Sequence, residues 1–278
     1  MIGDIAPVPQ QTQALPGIDE AGLSVFPVTQ ATRATFTGLY FRLTFLFFIQ
    51  AGSKRVICPR NGELTGEAGD VMIFPAGSVV NMENRPVADA DYRAEGVSIA
   101  RDLVDTVFGE HPARNAAPGI QVLRAVPHHP SDMLALIKET LSREGLPEPL
   151  RAHRLLEPLL WLRHNGVKLP AGDEEQPWSK VRHLIEGDIS YPWRLAEVAR
   201  HFAMSEATFR RWLARSGPGF AQLLLHTRLE RGLSLLQGTD LPVSRIALDC
   251  GFQTPSHFSD AFRKRFGIKP RQIRQRED

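Results

Sequence analysis

The tightest constraint on this chain is a pattern that it uses twice. Residues Leu195–Gly217 read as a short helix, a turn of small residues and a longer basic helix that stops at glycine, and Val243–Gly267 read the same way. Val198-Ala199 aligns with Ile246-Ala247, and Ala203-Met204 with Gly251-Phe252, at an offset of 48. Past one inserted residue the offset becomes 49, pairing Ser205 with Thr254, Phe209 with Phe258 and Leu213 with Phe262. Apolar positions coincide and exposed ones differ, as in two copies of one packed unit that present different surfaces. A short supporting helix followed by an exposed one is the plan of a helix-turn-helix, whose second helix lies in the major groove of DNA.

The second copy shows how such a helix is built. Thr254 can cap a helix with Pro255 at its first position, where the missing N–H costs nothing. Phe258 and Phe262, one turn apart, bury the inner side with help from Phe266, and Ser256, Ser259, Asp260 and Arg263 face outward, where they can meet base edges or phosphates. Cys250, His257 and Asp260 invite a metal reading, but a transition-metal site needs three or four convergent ligands. Cys250 ends an amphipathic helix on its apolar side and reads as a buried thiol. No metal and no cofactor is expected.

Charge separates the chain into two parts. From Trp178 to Asp278 there are 17 Lys and Arg against 10 Asp and Glu, net +7, whereas the remainder carries 16 against 21, net −5. A basic end on an acidic body fits a polyanion partner for that end alone. The basic part, residues 178–278, reads as seven helical segments, with the repeated units at about 195–216 and 243–266, and is expected to fold on its own core of Leu, Phe and Trp.

Ahead of it, residues 1–25 are rich in Pro, Gln, Ala and Gly and are expected to form a flexible arm. Residues 26–130 carry short apolar runs punctuated by AGS, PRNGE, GEAGD and PAGS, so they read as antiparallel strands closing into a small β-barrel or sandwich, with Leu39 to Ile49 as one buried strand. Residues 131–168 read as amphipathic helices, and Pro158 must kink the second or start a new one. Leu155, Leu156, Leu159 and Leu160 exceed what one buried face needs. Either they are clamped in the core or they form the stripe of a homodimer. Residues 169–177, LPAGDEEQP, read as a linker. The fold class is therefore α+β and multidomain. The two cysteines, Cys58 and Cys250, lie far apart and suggest no disulfide framework; with no visible signal peptide and no uninterrupted apolar span, a cytoplasmic protein without a membrane segment is expected.

The stretch VSRIALDCGFQTPSHFSDAFRKRFGIKPRQIR resembles the signature of AraC/XylS-family transcription regulators, and the resemblance extends over about one hundred residues. It is carried by Ile246-Ala247, Gly251-Phe252, Phe258, Phe262, Gly267, Pro270 and Arg274, with Arg228 and Leu235-Leu236 in the preceding helix. The resemblance implies two recognition helices on one rigid connecting helix, Phe220 to Gln237, entering successive major-groove segments on one face of double-stranded DNA. At about 1.5 Å per residue that helix is about 27 Å long, close to one turn of DNA. By position, Ala207, Arg210 and Arg211 in the first recognition helix and Ser256 and Ser259 in the second become the base-reading candidates. Ser205, Arg215, Thr254, Asp260, Arg263 and Lys264 complete the DNA-facing set.

Two residues depart from the family pattern. Asp260 stands where a basic or neutral residue is commoner, and would be repelled by phosphate unless it accepts from a cytosine amino group. Gly232 replaces a more usual alanine and costs about 1 kcal/mol of helix propensity, so the connecting helix is expected to flex there. The resemblance further implies an activator that meets RNA polymerase and carries a cupin-like sensor domain controlled by a small molecule or a protein partner. The competing reading is a cupin-type enzyme with a DNA-binding tail. No histidine precedes His111, which disfavours a metal cupin, and no catalysis is expected.

Overall fold

The computed structural model describes residues 22–59, 61–109, 119–170 and 176–275. Most of the expected arm (1–21) and of the expected linker (171–175) lie outside the described residues. The arm ends earlier than expected, because Leu23 to Val25 already belong to a strand.

Nine strands follow in order: β1 (Leu23–Gln30), β2 (Ala34–Phe41), β3 (Thr44–Ala51), β4 (Ser53–Cys58), β5 (Gly62–Glu67), β6 (Val71–Phe74), β7 (Ser78–Arg85), β8 (Tyr92–Ile99) and β9 (Gln121–Leu123). They form two antiparallel sheets, β1-β8-β3-β6-β9 and β2-β7-β4-β5. The expected closure into a barrel is not made: the sheets face each other as a sandwich with open edges. The stretch from Leu39 to Ile49 is also two strands, not one. It reverses at Arg42-Leu43, so that β2 joins the four-stranded sheet and β3 the five-stranded one. Arg42 is spared burial between the sheets and pairs with Glu186.

β3 shows how the five-stranded sheet is covered twice. With a period of two, Phe45, Phe47 and Ile49 point into the sandwich, whereas Leu46 and Phe48 point to the opposite face. That second face is covered by α1 (Arg101–Phe108), α3 (Pro130–Ser142) and α4 (Glu148–His164), with the short α2 (Ala125–His128) leading in. α4 runs through Pro158 without ending. Leu155 and Leu159 are 1% and 0% exposed, packed under the sheet with Val104, Ile137 and Leu162. Side chains without accessible surface cannot form an intermolecular seam, which corrects that reading for these two leucines. Leu156 is partly buried, and Leu160 is 48% exposed.

The remaining helices are α5 (Pro177–Gly187), α6 (Leu195–His201), α7 (Glu206–Ala214), α8 (Phe220–Gly238), α9 (Val243–Asp249) and α10 (Pro255–Phe266), then a 3₁₀ turn at Pro270–Ile273. They do not share one core. Val181, Ile185, Val198, Phe209, Leu213, Phe220 and Leu223 make a separate core for the first unit. Leu233, Leu236, Ile246, Phe252, Phe258, Phe262, Phe266 and Ile273 of the second unit instead run continuously into the sandwich interior with Phe36, Phe47, Val56 and Met82. The expectation of a self-contained C-terminal core therefore holds for half of that region.

The joint between sandwich and second unit is both apolar and polar. The rings of Phe36 and Phe266 meet edge-on at 5.4 Å, and the Ala31 N–H donates to the Ile273 carbonyl at 2.7 Å. Gln237 Nε2 on α8 donates to Gln30 Oε1 at 2.9 Å, the same oxygen accepts from Asn84 Nδ2 at 2.9 Å, and Asn84 Oδ1 accepts from the fully buried Lys54 Nζ at 2.6 Å. Burial pulls the Lys54 amine down to about 7.

Candidate DNA-binding interface

The two units repeat in backbone geometry as they do in sequence. At the turns, Ala203 and Gly251 both take left-handed conformations, φ 53° and 76°. Each turn is closed by the next residue reaching back: Met204 N–H to Ala199 O at 2.9 Å and Phe252 N–H to Ala247 O at 3.0 Å. Each recognition helix then starts on a hydroxyl cap, Ser205 accepting from Thr208 N–H at 3.3 Å and Thr254 from His257 N–H at 3.2 Å. Phe209 and Leu213 anchor α7 inward, and Phe258, Phe262 and Phe266 anchor α10.

This leaves the opposite faces to solvent. Ser205, Ala207, Arg210, Arg211 and Arg215 are exposed in and beside α7, and Thr254, Ser256, Asp260, Arg263 and Lys264 in and beside α10. Arg211 makes no hydrogen bond or ion pair among the described residues, whereas Arg210 is held by Glu206 at 3.3 Å. Ser259 is half-buried, and its hydroxyl donates to the Pro255 carbonyl at 2.9 Å, so it is less available than its position suggested. Cys250 is fully buried, its thiol pushed up to about 12 mainly by that burial. His257 is exposed, its ring edge-on to Phe252.

The connecting helix α8 is continuous, and Gly232 plays a different part from the one expected. A Cβ there would stand 2.6 Å from Cε2 of Phe258, so the glycine admits the second recognition helix's anchor and is a packing position rather than a flexible one. The two arginines of the family pattern prove to be braces. Arg274 donates to the carbonyls of Leu236 and Leu241 at 2.9 and 2.6 Å, closing the end of α8. Arg228 donates to Ile189 and Tyr191 carbonyls at 3.1 and 2.7 Å.

Sequence reasoning missed a buried ionic cluster behind the recognition helices. Glu230, in the middle of α8, accepts from Arg182 Nη1 at 2.7 Å through one oxygen and from Arg265 Nη2 at 2.9 Å through the other. Arg182 Nε pairs with Glu186 at 2.7 Å, and Glu186 with Arg42 at 3.0 Å. Burial works against the Arg182 charge, but the carboxylates of Glu230 and Glu186 outweigh it and raise its pKa. His226, half-buried beside them, is lowered by burial and then by Arg265. Arg265 belongs to the basic run Arg263-Lys264-Arg265, yet it alone of the three turns inward. A carboxylate among Leu229, Leu233 and Leu236 is the one sequence signal that pointed to a buried partner.

Comparison with known proteins fits this geometry. Residues 198–276 match a family model described as a helix-turn-helix domain. The chain is similar to the transcriptional activator AggR of Escherichia coli, 39% identical over 94 residues, 34% of this chain and 36% of that one. It is 30% identical over 98 residues to the HTH-type transcriptional regulator GadX of Escherichia coli O6:H1, 35% and 36% of the two chains. To the urease operon transcriptional activator of Escherichia coli it is 34% identical over 145 residues, 51% and 48%. The chain thus spans about a third to a half of the length of these relatives. Over nearly the whole fold it is similar to ToxT of Vibrio cholerae O395, with a TM-score of 0.62 at 16% identity, covering 89% of this chain and 96% of that one. At that identity the likeness is one of architecture: a β-rich N-terminal part joined to a helical C-terminal part. Paired turns of one geometry, paired hydroxyl caps and a shared apolar register, together with these matches, make the C-terminal part of this chain a helix-turn-helix domain of the AraC type.

Proposed function

We propose that this protein is a sequence-specific DNA-binding regulator of transcription, an activator that meets RNA polymerase and performs no catalysis of its own. The observation that carries the reading is the pair of exposed, capped recognition helices on one continuous connecting helix, with Arg211 free to bind a guanine edge. A protein of this kind works in the cytoplasm; no helix among the described residues is long and apolar enough to cross a membrane. The test is binding by the full chain to duplexes enriched from a random-sequence library. Affinity for an enriched duplex should exceed that for unselected DNA by at least about a thousandfold at physiological salt. Equal affinity for both would reduce the reading to non-specific adhesion by a basic surface.

The N-terminal domain is the control module in this reading, answering to a small molecule or a protein partner. ToxT has been solved with an unsaturated fatty acid bound, with a TM-score of 0.57 to this chain at 15% identity, and that supports the small-molecule alternative. A homodimer gives such a regulator two linked contacts with repeated sites. Its seam is now sought on the outer side of α4, where Leu150 and Leu160 are 54% and 48% exposed and Leu156 is partly so.

A further inference from the structure

The two recognition helices belong to different hydrophobic cores, so their mutual angle is not fixed by packing within one unit. α7 is anchored in the first unit's own core and α10 in the sandwich's core. α8 runs from one core into the other, and Glu230 on it adds a lateral tie between the two units. Its carboxylate is 9% exposed and spends one oxygen on each unit: Arg182 comes from α5, whose Val181 and Ile185 pack on Phe209 and Leu213, and Arg265 comes from α10 itself. Breaking one of two buried arginine–carboxylate bonds strands a charge, so the arrangement has one low-energy geometry.

The sensor domain holds both ends of this tie. In the second half of β2, the Gly38 carbonyl accepts from Arg265 Nη2 at 3.4 Å. The Tyr40 hydroxyl lies 2.8 Å from Ser179 Oγ, and its ring sits against Trp178 at 4.1 Å and under the Arg182 guanidinium at 5.3 Å. Arg42 then pairs with Glu186, which holds Arg182. Within five residues one strand end touches the second recognition helix and the base of the first unit.

We propose that Glu230 is a positioning residue that sets the angle between the two recognition helices, and that the β2 end of the sensor domain, through Gly38, Tyr40 and Arg42, fixes that setting and with it the spacing of the two DNA subsites the protein accepts. This inference rests on the proposed reading that both units contact DNA. Glu230 touches no base or phosphate; it acts through Arg182 and Arg265.

The experiment is selection of duplexes from a random-sequence library by the full-length protein, by Glu230→Gln and by Arg42→Gln. Glutamine at 230 keeps one acceptor oxygen but turns an N–H toward the second arginine, so one link is lost. The wild-type protein should enrich two subsites at one separation, and inserting a base pair between them should weaken binding by about tenfold. Glu230→Gln should enrich the same two subsites over a spread of separations, with the insertion penalty reduced below about threefold. Arg42→Gln lies at a part-exposed pair outside the cores and should show the same spread, so it carries the test by itself if Glu230→Gln does not fold. A single unchanged separation in Arg42→Gln and in folded Glu230→Gln overturns this inference alone, and so does a uniform loss of affinity at every separation. Failure of the wild-type protein to enrich two subsites would instead remove the two-unit reading, and this inference with it.

Discussion

At the scale of single residues the two turns make a natural comparison, because the same left-handed position is alanine in the first unit and glycine in the second. A non-glycine residue there costs about 1–2 kcal/mol, part of which glycine returns as unfolded-state entropy. Ala203→Gly should therefore stabilise the first unit by about 0.5–1 kcal/mol in denaturant unfolding. Gly251→Ala should cost more than that gain, about 1–2 kcal/mol, because its Cβ would also meet Arg228 Nη2 at 2.7 Å and displace a guanidinium that braces two carbonyls. Gly232→Ala sets helix propensity, a gain of about 1 kcal/mol, against overpacking on Phe258, a loss of about 1–3 kcal/mol, and the contact at 2.6 Å decides for net destabilisation. The sequence shows Gly232 as a weak point in a helix because propensity is local. That a phenylalanine 26 positions later fills the gap depends on a crossing of two helices, which no local pattern encodes.

At the scale of elements, the recognition helices were legible for the reason that Gly232 was not. Cap and apolar spacing are short-range and the repeat aligned them twice, and Pro255 adds a first-turn signal to the second. Arg211→Ala should weaken binding to an enriched duplex by about 1–3 kcal/mol and relax preference at one base pair, read by titration against single-base variants. Arg263→Ala or Lys264→Ala should instead weaken specific and non-specific binding alike and lower the salt slope by about one. Arg265 escaped because a basic run gives no sign of which member turns inward; its direction is set by Glu230, 35 residues away. α4 was legible as an over-apolar helix but not as to which leucines face out. Leu160→Glu should leave the fold intact and shift a dimer to monomer in sedimentation, while Leu159→Glu, a charge placed at a fully buried site, should unfold the domain.

At the scale of the whole molecule, the sandwich and the second helix-turn-helix behave as one body. Lys54 lies inside the sandwich and is linked to α8 through Asn84, Gln30 and Gln237, and its titration makes that body sensitive to pH. Its folded value is about 7 and its unfolded value about 10.5, so between these the unfolded chain binds the extra proton and stability rises with pH, by up to about 1.4 kcal/mol per unit from this group. Lys54→Met should flatten that slope in unfolding measured from pH 7 to 10, and an unchanged slope would show that Lys54 keeps its proton in the folded protein. The sequence showed two parts of opposite charge and a linker between them, but a hydrophobic core shared across the linker is a property of the assembled surface alone.

That shared core bears on how the chain could be recombined. α8 begins in the first unit's core and ends in the sandwich's, so the boundary that a gene fusion would respect in sequence runs through a wall in space. Moving residues 178–278 onto a foreign N-terminal domain would carry the first unit across whole, but it would leave Leu236, Phe266 and Ile273 facing whatever replaced Phe36 and Ala31. A transplant that keeps both helix-turn-helix units on their native packing must therefore bring the β1–β2 corner with it, so the chain is separable at one of its two units only.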